Sequence, residues 1–450
     1  MKRRDFLLQG SAAALAALFI PSLLTGCSKD KINFKDHNFS GKVLIIGAGA
    51  AGLYAAYILQ ENGVDVTVLE ASAVIGGRIR KNDSFTNFPI DLGAEWIHGQ
   101  KSLLCKWAKK MDHDTFLDNS DLLVWLDGRL QKTEPADDSE LDKLMTAIEK
   151  LDNEDLSDIS LQQWASNEGF NTRLDNVLEY MAGEEGTSAS RLGIKAFAAA
   201  NNQWSAGEKD FKFKRSFYDF INDWLIKSVQ NKVEINKIVK SIDYSGAMVT
   251  VETVDSSIYS ADKVIVTVPI PILKDGDIDF IPALPANKTA AIAKMSMDAG
   301  MKIAMKFSQK FWTNSVIGGE KSASYLDSGF GKDNPEHIYT AFVMGEKAEY
   351  LSSLGQGAIA ELLQELDSIY NNTATSSYLD GIIMDWSQEP YIRGAYSYAT
   401  VGLGDSRKIL AESLADKVYF AGEATHFEGH HQTVHGAMKT AYREIEKILV

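Results

Sequence analysis

The glycine-rich turn at residues 47–52 is the part of the sequence whose residue types and spacing point most directly to chemistry. It follows the apolar run Val43–Ile46, which predicts a buried strand of a parallel sheet, and it opens a helical pattern. Gly47 allows the tight turn, Gly49 lets the backbone approach a pyrophosphate, and Gly52 lets helix and strand pack closely. Because the first N–H groups of the helix attract phosphate oxygens, the turn predicts a dinucleotide site.

An acidic residue stands where such a site binds a ribose. The strand predicted over residues 64–69 ends at Glu70, whose carboxylate can accept hydrogen bonds from ribose hydroxyl groups. A structural turn is the alternative for the glycines alone, but the strand, the helix and the acid together favour a cofactor. The following Gly76-Gly77-Arg78 suits a loop that wraps a longer, flavin-bearing dinucleotide. The cofactor-binding residues predicted in this segment are Gly47, Gly49, Ala50, Ala51, Gly52, Glu70, Ala71, Gly77 and Arg78.

The composition allows a large scaffold around these residues. The chain has 450 residues, and 45% of them are hydrophobic, which is enough for two domains with buried cores. The formal net charge of −15 makes nucleic acid or an anionic membrane surface an unsuitable partner. The same surplus of negative charge favours cationic ligands.

The first 26 residues have the features of an export signal. Arg3 and Arg4 precede the apolar run 12–20, which is shorter than the roughly 20 residues of a membrane-spanning helix. Residues 24–27, Leu-Thr-Gly-Cys, resemble the site at which bacterial lipoproteins are cleaved and acylated. A plain hydrophobic leader is the alternative. We expect a twin-arginine signal over residues 1–26, a lipid on Cys27, a tether over residues 27–40, and a protein anchored to a bacterial membrane on the periplasmic side or at the cell surface.

Residues 41–80, with the glycine turn, the acid and the Gly76-Gly77-Arg78 extension, resemble the FAD-binding signature of the flavin amine oxidase family. The resemblance implies an α/β fold: a Rossmann-like FAD-binding domain with a parallel sheet and a β-meander, and a discontinuous α+β substrate-binding domain. It also implies FAD, a small amine substrate, and dioxygen or another electron acceptor. The implied FAD-binding domain comprises residues 41–110, 231–287 and 396–450, and the substrate-binding domain comprises residues 111–230 and 288–395.

The segment IDLGAEWIHG at residues 90–99 matches a part of the family that lies beside the flavin and the substrate. His98 falls where polyamine oxidases of the family have a histidine that contacts the substrate amine, which implies a catalytic role. A satisfied structural histidine is the alternative. The match also implies cofactor contacts by Gly93, Ala94, Glu95 and Trp96.

The middle of the chain alternates between helical and extended patterns. Residues 111–230 predict helices at 139–151, 161–168, 172–182 and 217–229, which suits a helical part of the substrate-binding domain. Residues 233–268 predict strands at 233–236, 239–244, 248–253 and 263–268, with turns typical of a meander. In the family such a meander covers the adenine end of FAD, and the residue that matches Val239 contacts it. A core strand residue is the alternative for Val239.

A strand predicted over residues 300–307 carries Lys302, which the alternating pattern alone would place in solvent. The segment Gly300-Met301-Lys302, followed by Phe311-Trp312, is similar to a family segment in which the lysine is buried and bridged by water to flavin N5. The resemblance therefore implies a catalytic role for Lys302. We expect Lys306, on the same strand, at the surface.

The segment WSQEPYIRGAYSY at residues 386–398 is also similar to the family. Tyr396 matches one wall of the aromatic cage that holds the substrate amine, and Trp386 or Tyr398 is the candidate for another wall. Ala395 occupies the position at which monoamine oxidases have a cysteine bonded to the flavin, so we expect non-covalent FAD. Aromatic walls exclude water from an amine and lower its pKa from about 10, which frees the lone pair that oxidation requires.

The end of the chain, with a strand near 417–420 and a helix predicted over 433–449, carries the remaining cofactor candidates. Gly422 and Glu423 match residues of the family at the ribityl chain or the pyrophosphate of FAD. The helix directs the positive end of its dipole at the cofactor, with Thr433 and Val434 at its start.

Thr433 also matches the second cage tyrosine of monoamine oxidases. A threonine there opens the site, as it does in the polyamine oxidase and histone demethylase branch of the family, so we expect Thr433 to contact the substrate as well. His430, His431 and His435 crowd the same turn. The resemblance accounts for these histidines without a metal, and we expect none.

Three functions remain open. The first is a polyamine or monoamine oxidase that produces an aldehyde, an amine and hydrogen peroxide. The second is a flavin amino-acid oxidase or a desaturase-like relative, for which Arg393 is the candidate to bind a substrate carboxylate. The third is a non-catalytic or electron-transfer flavoprotein. The motifs at both ends of the FAD-binding domain and the Lys302 strand favour the first.

Overall fold

The structure is a computed structural model that describes residue 34, residues 37–133 and residues 136–450. The predicted twin-arginine signal and the lipidation site Cys27 lie outside the described residues. In the described part of the chain, no helix is both long enough and apolar enough to cross a membrane.

The strands, numbered in chain order, fall into six sheets. They are β1 (Lys42–Ile46), β2 (Asp65–Leu69), β3 (Lys81–Asn82), β4 (Ile90–Asp91), β5 (Trp96–His98), β6 (Thr115–Leu117), β7 (Leu122–Leu126), β8 (Arg129–Lys132), β9 (Asp210–Phe213), β10 (Val233–Glu234), β11 (Val239–Asp243), β12 (Val249–Thr253), β13 (Ile258–Ala261), β14 (Lys263–Val266), β15 (Asp279–Ile281), β16 (Ser296–Met297), β17 (Gly300–Phe307), β18 (Ser315–Ile317), β19 (Ser324–Asp327), β20 (His337–Met344), β21 (Tyr378–Asp385), β22 (Ser397–Tyr398) and β23 (Val418–Phe420).

Helices cover the sheets and connect them. They are α1 (Ala50–Glu61), α2 (Leu103–Lys110), α3 (Ser139–Glu149), α4 (Leu161–Asn167), α5 (Asp175–Glu184), α6 (Ile194–Gln203), α7 (Phe217–Ile221), α8 (Lys227–Val229), α9 (Ile270–Lys274), α10 (Ala286–Lys294), α11 (Gly345–Leu354), α12 (Ala358–Ile369), α13 (Ala374–Ser377), α14 (Ser406–Leu410) and α15 (Val434–Leu449).

The central sheet is entirely parallel and has the strand order β10-β2-β1-β14-β23. Both of its faces are buried, as the continuous apolar run of β1 predicts. Val43 and Ile45 pack in one cluster with helices α1 and α15, whereas Leu44 and Ile46 pack in another with the strands of the second sheet. This arrangement confirms the predicted Rossmann-like α/β architecture.

The second sheet has the order β13-β12-β11-β15, and it is the meander that the sequence predicted near residues 239–253. The flanking segments form strands, as predicted, but these strands do not belong to the meander. The segment 233–236 contributes β10, and the segment 263–268 contributes β14, and both strands pair in the parallel sheet. Their short apolar runs do not distinguish a parallel from an antiparallel partner.

The largest sheet has seven strands in the order β21-β17-β20-β19-β18-β7-β8. Strand β17 pairs along its whole length with β20 and β21, so it lies inside the sheet. Met305 on one face of β17 and Ala304 on the other are both buried, in separate clusters. The strand therefore has no solvated face, and Lys302 is buried with only 4% of its surface exposed.

The prediction that residues 111–230 are helical was incomplete. Strands β6 to β9 lie in this segment; β7 and β8 extend the seven-stranded sheet, and β9 pairs with both β5 and β6. The helix predicted over 217–229 is continuous, but it consists of α7, a π-helical turn at Asn222–Ile226 and α8. Strand β9 matters most, because its pairing with β5 brings residues of this segment behind the site.

The described end of the predicted tether contacts the folded body. The ring centroid of Phe34 lies 5.5 Å from that of Tyr442. The backbone N–H of Phe34 donates to Oδ1 of Asn62 at 2.7 Å. His37 contacts the backbone oxygen of Asn62 at 2.9 Å. Ordered contacts thus begin before residue 41, where we expected them to start.

Candidate active site

A single continuous cavity of about 350 Å³ runs from the glycine turn to β17. It is lined by nearly all the residues that the sequence singled out: Gly47, Gly49, Ala50, Ala51, Glu70, Ala71, Gly77, Arg78, Gly93, Ala94, Glu95, Trp96, His98, Val239, Lys302, Trp386, Tyr396, Gly422, Glu423, Thr433 and Val434. Gly52 and Tyr398 do not line it. The structure therefore brings together residues that are hundreds of positions apart in the chain.

The glycine turn forms the first end of the cavity. Gly49 precedes α1, no side chain caps that helix, and a Cβ on Gly49 would meet nothing within 4 Å, so open space adjoins its backbone. A Cβ on Gly77 would lie 3.2 Å from Cα of Gly49, so the second glycine loop closes over the first. On Gly52 a Cβ would collide with the carbonyl of Gly47, which explains why this position lies behind the wall.

Hydrogen bonds, mainly from backbone N–H groups, hold the Glu70 carboxylate at the same end of the cavity. Its Oε2 accepts from the N–H of Ala48 at 2.7 Å, and its Oε1 accepts from the N–H and the hydroxyl of Ser72. A carboxylate oxygen has about two acceptor sites, so Oε2 retains one for a ligand hydroxyl.

Glu423 lines the cavity and is held by hydrogen bonds from several neighbours. Its carboxylate accepts from the N–H and the hydroxyl of Ser397 and from the N–H of Gln432, and it pairs with Nη1 of Arg78 at 3.1 Å. The same Nη1 donates to the carbonyl of Ala395 at 2.8 Å. Burial alone would raise the pKa of Glu423, but the cations of Arg78 and Arg407 lower it by a larger amount. The pKa is therefore below its usual range, and the carboxyl group stays ionised. The Glu423 side chain thus holds Arg78 in the wall.

These features fit FAD. The uncapped helix start and the open space beside Gly49 suit a pyrophosphate, and Glu70 offers an acceptor to a ribose. Arg78 adds a cation to the wall. Ala395 has no sulfur atom that could form a covalent bond to the flavin.

Lys302 lies in the wall at the second end of the cavity. Its Nζ donates to Oε2 of Glu95 at 2.6 Å and to the carbonyl of Asp91 at 3.0 Å. Burial alone would raise the pKa of Glu95, but the ammonium groups of Lys212 and Lys302 outweigh it and lower the pKa to about 2. Glu95 is therefore an ion-pair partner of the lysine as well as a residue of the cavity wall.

Lys212 and Asp118 complete this buried charge cluster, and the sequence analysis missed both. Nζ of Lys212 lies 2.9 Å from Oε1 of Glu95 and 3.3 Å from Oδ2 of Asp118. The same Asp118 oxygen accepts from Nε1 of Trp96 at 2.7 Å. The alternation Phe211-Lys212-Phe213 is a strand signal, but the charged residues around it are typical of a solvated loop.

His98 is oriented by a carboxylate that the sequence also did not reveal. Its Nδ1 lies 3.1 Å from Oδ2 of Asp210, and the other Asp210 oxygen accepts from the N–H of Gly99. An ionised carboxylate can only accept, so Nδ1 carries the proton, and Nε2 of a neutral ring is the nitrogen with a free lone pair. His98 is half-buried and lines the cavity.

Tyr396 forms an aromatic part of the wall near two carboxylates. Its hydroxyl donates to the carbonyls of Gly183 and Glu184 at 3.3 and 3.1 Å. A Cβ on Gly186 would lie 2.5 Å from Cε2 of the tyrosine, so the ring packs directly on that glycine. Glu184 and Glu185 also line the cavity, which therefore has acidic groups beside its aromatic wall.

The other cage candidates differ in position. Trp386 lines the cavity, its Nε1 donates to the carbonyl of Leu92 at 3.0 Å, and its ring lies against Gly93. Thr433 also lines it, but its hydroxyl caps α15 by accepting from the N–H of Gly436 at 3.0 Å. The prediction for Tyr398 was wrong, because its strand β22 pairs with β16 and buries the ring outside the cavity.

The crowded histidines contact one another. Nδ1 of His430 lies 2.9 Å from Nε2 of His435, and Nε2 of His430 lies 2.9 Å from the hydroxyl of Ser205. Within the described ranges, no group of three His, Cys, Asp or Glu side chains has an arrangement that could hold a metal ion.

Arg393, the candidate for a substrate carboxylate, lies outside the cavity. Its Nη1 pairs with Asp275 at 2.8 Å and its Nη2 with Asp277 at 2.5 Å. The guanidinium is thus committed to two surface carboxylates.

The fold and this cavity suit a bound dinucleotide cofactor, and comparison with known proteins identifies the family of the chain. The sequence model of the family described as flavin containing amine oxidoreductase matches residues 50–449. The chain belongs to this family.

Curated relatives are similar to this sequence over most of its length. Lysine-specific histone demethylase 2 of Homo sapiens is 30% identical over 457 residues, which cover 92% of this chain and 53% of the demethylase. Polyamine oxidase 1 of Zea mays is 27% identical over 477 residues, covering 95% of this chain and 94% of the oxidase. This chain spans about half the length of the demethylase and nearly all of the polyamine oxidase.

Solved structures share the fold. Wild-type putrescine oxidase bound to putrescine superposes with a TM-score of 0.76 at 20% identity, covering 91% of this chain and 99% of that chain. A triple mutant from a redesign of cofactor binding in putrescine oxidase gives a TM-score of 0.78.

Proposed function

We propose that the protein is an FAD-dependent oxidase of small cationic amines, of the polyamine or monoamine type, that forms an imine, then an aldehyde, and hydrogen peroxide. The observation that carries the proposal is one continuous cavity with Gly49 and Glu70 at one end and Lys302 and Tyr396 at the other. Family membership and the named activities of the relatives support the same conclusion.

FAD, when bound, supplies the chemistry by accepting two electrons and a proton equivalent from the C–H bond next to nitrogen. The glycine turn and the start of α1 would hold the phosphates of FAD, and Glu70 would accept a hydrogen bond from its ribose. The cation of Arg78 would offset the negative charge of the cofactor. The protein contributes binding, orientation and electrostatics. The lack of a thiol at Ala395 supports a non-covalent cofactor.

The wall at the second end suits a cation that must lose a proton. Tyr396 offers an aromatic face, and Glu184 and Glu185 offer negative charge, so an alkylammonium is attracted into the cavity. An amine with a usual pKa of about 10 enters protonated, and removal from water lowers that pKa. His98 then accepts the proton at Nε2, because Asp210 keeps the proton of the neutral ring on Nδ1.

Lys302 keeps one N–H for the cavity. Its other two donors are used by Glu95 and the carbonyl of Asp91, and the ring centroid of Trp96 lies 5.4 Å from its Nζ. A buried ammonium in this position can orient a water molecule at the reacting end and exclude others. The natural acceptor in this proposal is dioxygen.

A flavin amino-acid oxidase or a desaturase-like relative is the second candidate. This alternative has less support, because Arg393 does not line the cavity and its guanidinium is paired with Asp275 and Asp277. An Arg393→Ala variant should therefore leave oxidation of any accepted substrate unchanged, and a selective loss of amino-acid oxidation would favour this alternative.

We also propose export and anchoring by a lipid on Cys27. The support is the order of Arg3-Arg4, the apolar run and the Leu-Thr-Gly-Cys site in the sequence. Membrane fractionation of bacteria that express the full chain should recover the protein with membranes, and Cys27→Ser should release or misprocess it. Equal distribution of both proteins would contradict the anchor.

The catalytic proposal is tested by product analysis. The protein from residue 28 onward is purified, its flavin is released by heating and identified, and oxygen consumption is measured with putrescine, spermidine, benzylamine and amino acids. We expect FAD in the supernatant and amine-dependent peroxide. Flavin that stays bound to the denatured protein would contradict the non-covalent cofactor, and peroxide from amino acids alone would contradict the amine substrate.

A further inference from the structure

We propose that Lys212, a buried lysine on β9, is a positioning residue that fixes Lys302 in the cavity wall through the carboxylate of Glu95. The proposal rests on the proposed function, since it concerns the environment of a bound flavin. Lys212 itself does not line the cavity. It lies one layer behind the wall, at a position that pairs across strands with Trp96.

One carboxylate joins the two lysines. Oε1 of Glu95 lies 2.9 Å from Nζ of Lys212, and Oε2 lies 2.6 Å from Nζ of Lys302. Each oxygen therefore has its own cation, and the carboxylate cannot rotate without losing one of them. Charge-assisted hydrogen bonds of this length are strong and directional, and burial of both lysines limits their exchange with water.

Lys212 has a carboxylate partner that Lys302 does not share. Its Nζ lies 3.3 Å from Oδ2 of Asp118 and 4.4 Å from the ring centroid of Trp96. Asp118 is in turn fixed by Nε1 of Trp96 at 2.7 Å and the hydroxyl of Ser120 at 3.0 Å. The Trp96 ring is shared, since its centroid also lies 5.4 Å from Nζ of Lys302, but Asp118 pairs with Lys212 alone of the two lysines, so this anchor can determine where Glu95, and hence Lys302, is placed.

The position of Glu95 determines the direction of the third N–H of Lys302, the one that donates neither to Glu95 nor to Asp91. With Glu95 fixed at Oε2 and the Asp91 carbonyl as the second acceptor, the ammonium has a single orientation. A fixed positive charge in this wall favours reduction of a bound flavin, because it stabilises the negative charge that reduction adds. Removal of Lys212 frees Glu95 to rotate and leaves Asp118 without its cation, so Lys302 loses this orientation.

A purely structural Lys212, which only neutralises buried carboxylates, is the competing explanation. The two explanations predict different combined effects of substitutions at Lys212 and Lys302. If Lys212 acts through Lys302, its substitution matters only while Lys302 is present, so the two effects are not additive. If Lys212 only neutralises charge, its effect on a bound flavin is the same whether or not Lys302 is present.

The test measures the midpoint reduction potential of the holoenzyme by titration against a reference dye, without any amine. Lys212→Met, Lys302→Met and the double variant are compared, with Lys212→Gln as a second way of removing the Lys212 ammonium. Lys288→Met is the matched control, because Lys288 is also a buried lysine but donates to the carbonyls of Ile409, Leu410 and Glu412 instead.

We expect each single variant at 212 and 302 to shift the potential in the negative direction, and the double variant to shift it no further than Lys302→Met. Lys288→Met should lower the melting temperature and leave the potential unchanged. A wild-type potential in Lys212→Met and Lys212→Gln, or an additive shift in the double variant, would overturn the proposal. A holoenzyme that no amine reduces would contradict the oxidase function and leave this result standing, whereas a protein that binds no flavin would overturn both.

Discussion

Glu95 lies 2.6 Å from Lys302 in the wall of the cavity, so the lysine that the family resemblance identified is held in a buried ion pair. The pair comes from two distant segments, the turn before β5 and the strand β17. Its geometry makes the charge state of Glu95 important for stability as well as for the site.

Replacement of Glu95 by glutamine should destabilise the protein most at neutral pH. The variant leaves Lys302 and Lys212 buried without their shared anion, a change that typically costs about 3 kcal/mol. Since the pKa of Glu95 is about 2 in the folded protein and 4.5 without such partners, wild-type stability should fall as the pH drops from 4.5 towards 2. Urea unfolding of both proteins between pH 7 and 3 measures this, and we expect the difference to narrow at the acid end.

Glu252→Gln is the control for that measurement. Glu252 pairs with Lys240 at 3.0 Å, but both side chains are exposed, and such pairs contribute about 0–1 kcal/mol. Glu95→Gln with the same small loss as Glu252→Gln would show that the buried pair does not form.

Substitution of Gly186 by alanine should displace Tyr396 and impair substrate binding. The new Cβ would lie 2.5 Å from Cε2 of the ring, and the backbone φ of +81° already disfavours a side chain. A displaced cage wall should lower kcat/KM for the amine by roughly 10- to 100-fold. Steady-state kinetics with the best amine measures the change.

Gly169→Ala separates that clash from the backbone strain. Gly169 has a φ of +80°, but a Cβ there would meet nothing within 4 Å. Both variants should lose a similar amount of stability from strain, and only Gly186→Ala should lose activity. Equal kinetics in the two variants would exclude Tyr396 as a cage wall.

Glu70→Gln should weaken FAD binding without unfolding the protein. The substitution replaces a charged acceptor by a neutral one at the end of β2, and hydrogen bonds to charged groups contribute about 1.5–3 kcal/mol. We expect the Kd of the apoprotein for FAD to rise roughly 10- to 100-fold, measured by quenching of flavin fluorescence. Glu61→Gln, at the exposed end of α1, should bind FAD like the wild type.

Stability should also fall as the pH drops below about 6.5, because His435 cannot accept a proton in the folded state. Burial, followed by repulsion of a protonated His435 by the neighbouring His430 and Lys439, holds the pKa of His435 well below its usual range. The unfolded chain binds a proton there that the folded chain does not. Melting temperatures between pH 8 and 5 should decline less steeply in His435→Gln, and parallel curves would contradict this explanation.

The strand, turn and helix at the first end of the cavity were predicted correctly, for physical reasons. The residues around Gly49 are contiguous, and a strand, a turn and a helix can be recognised from local spacing alone. Helix α3, predicted over 139–151 and observed at Ser139–Glu149, shows the same strength of local patterns. Lys302 required the family resemblance, because alternation alone could not show that both faces of β17 are covered.

The residues that the sequence missed act through long-range pairing. Lys212 and Asp210 reach the site only because β9 pairs with β5 in the register that sets Lys212 opposite Trp96 and Asp210 opposite His98. Nothing local to β9 indicates that partner. Tyr398 shows the limit of proximity along the chain: it is two residues from Tyr396, yet its ring is buried and does not line the cavity.

The most direct test of the central claim is anaerobic mixing of the purified holoenzyme with putrescine or spermidine while the flavin absorbance is recorded. An amine oxidase should bleach rapidly, with a rate that saturates as the amine concentration rises and falls at low pH, where the substrate is more fully protonated. Flavin that remains oxidised with every polyamine and monoamine offered would contradict the assignment of this cavity to amine oxidation.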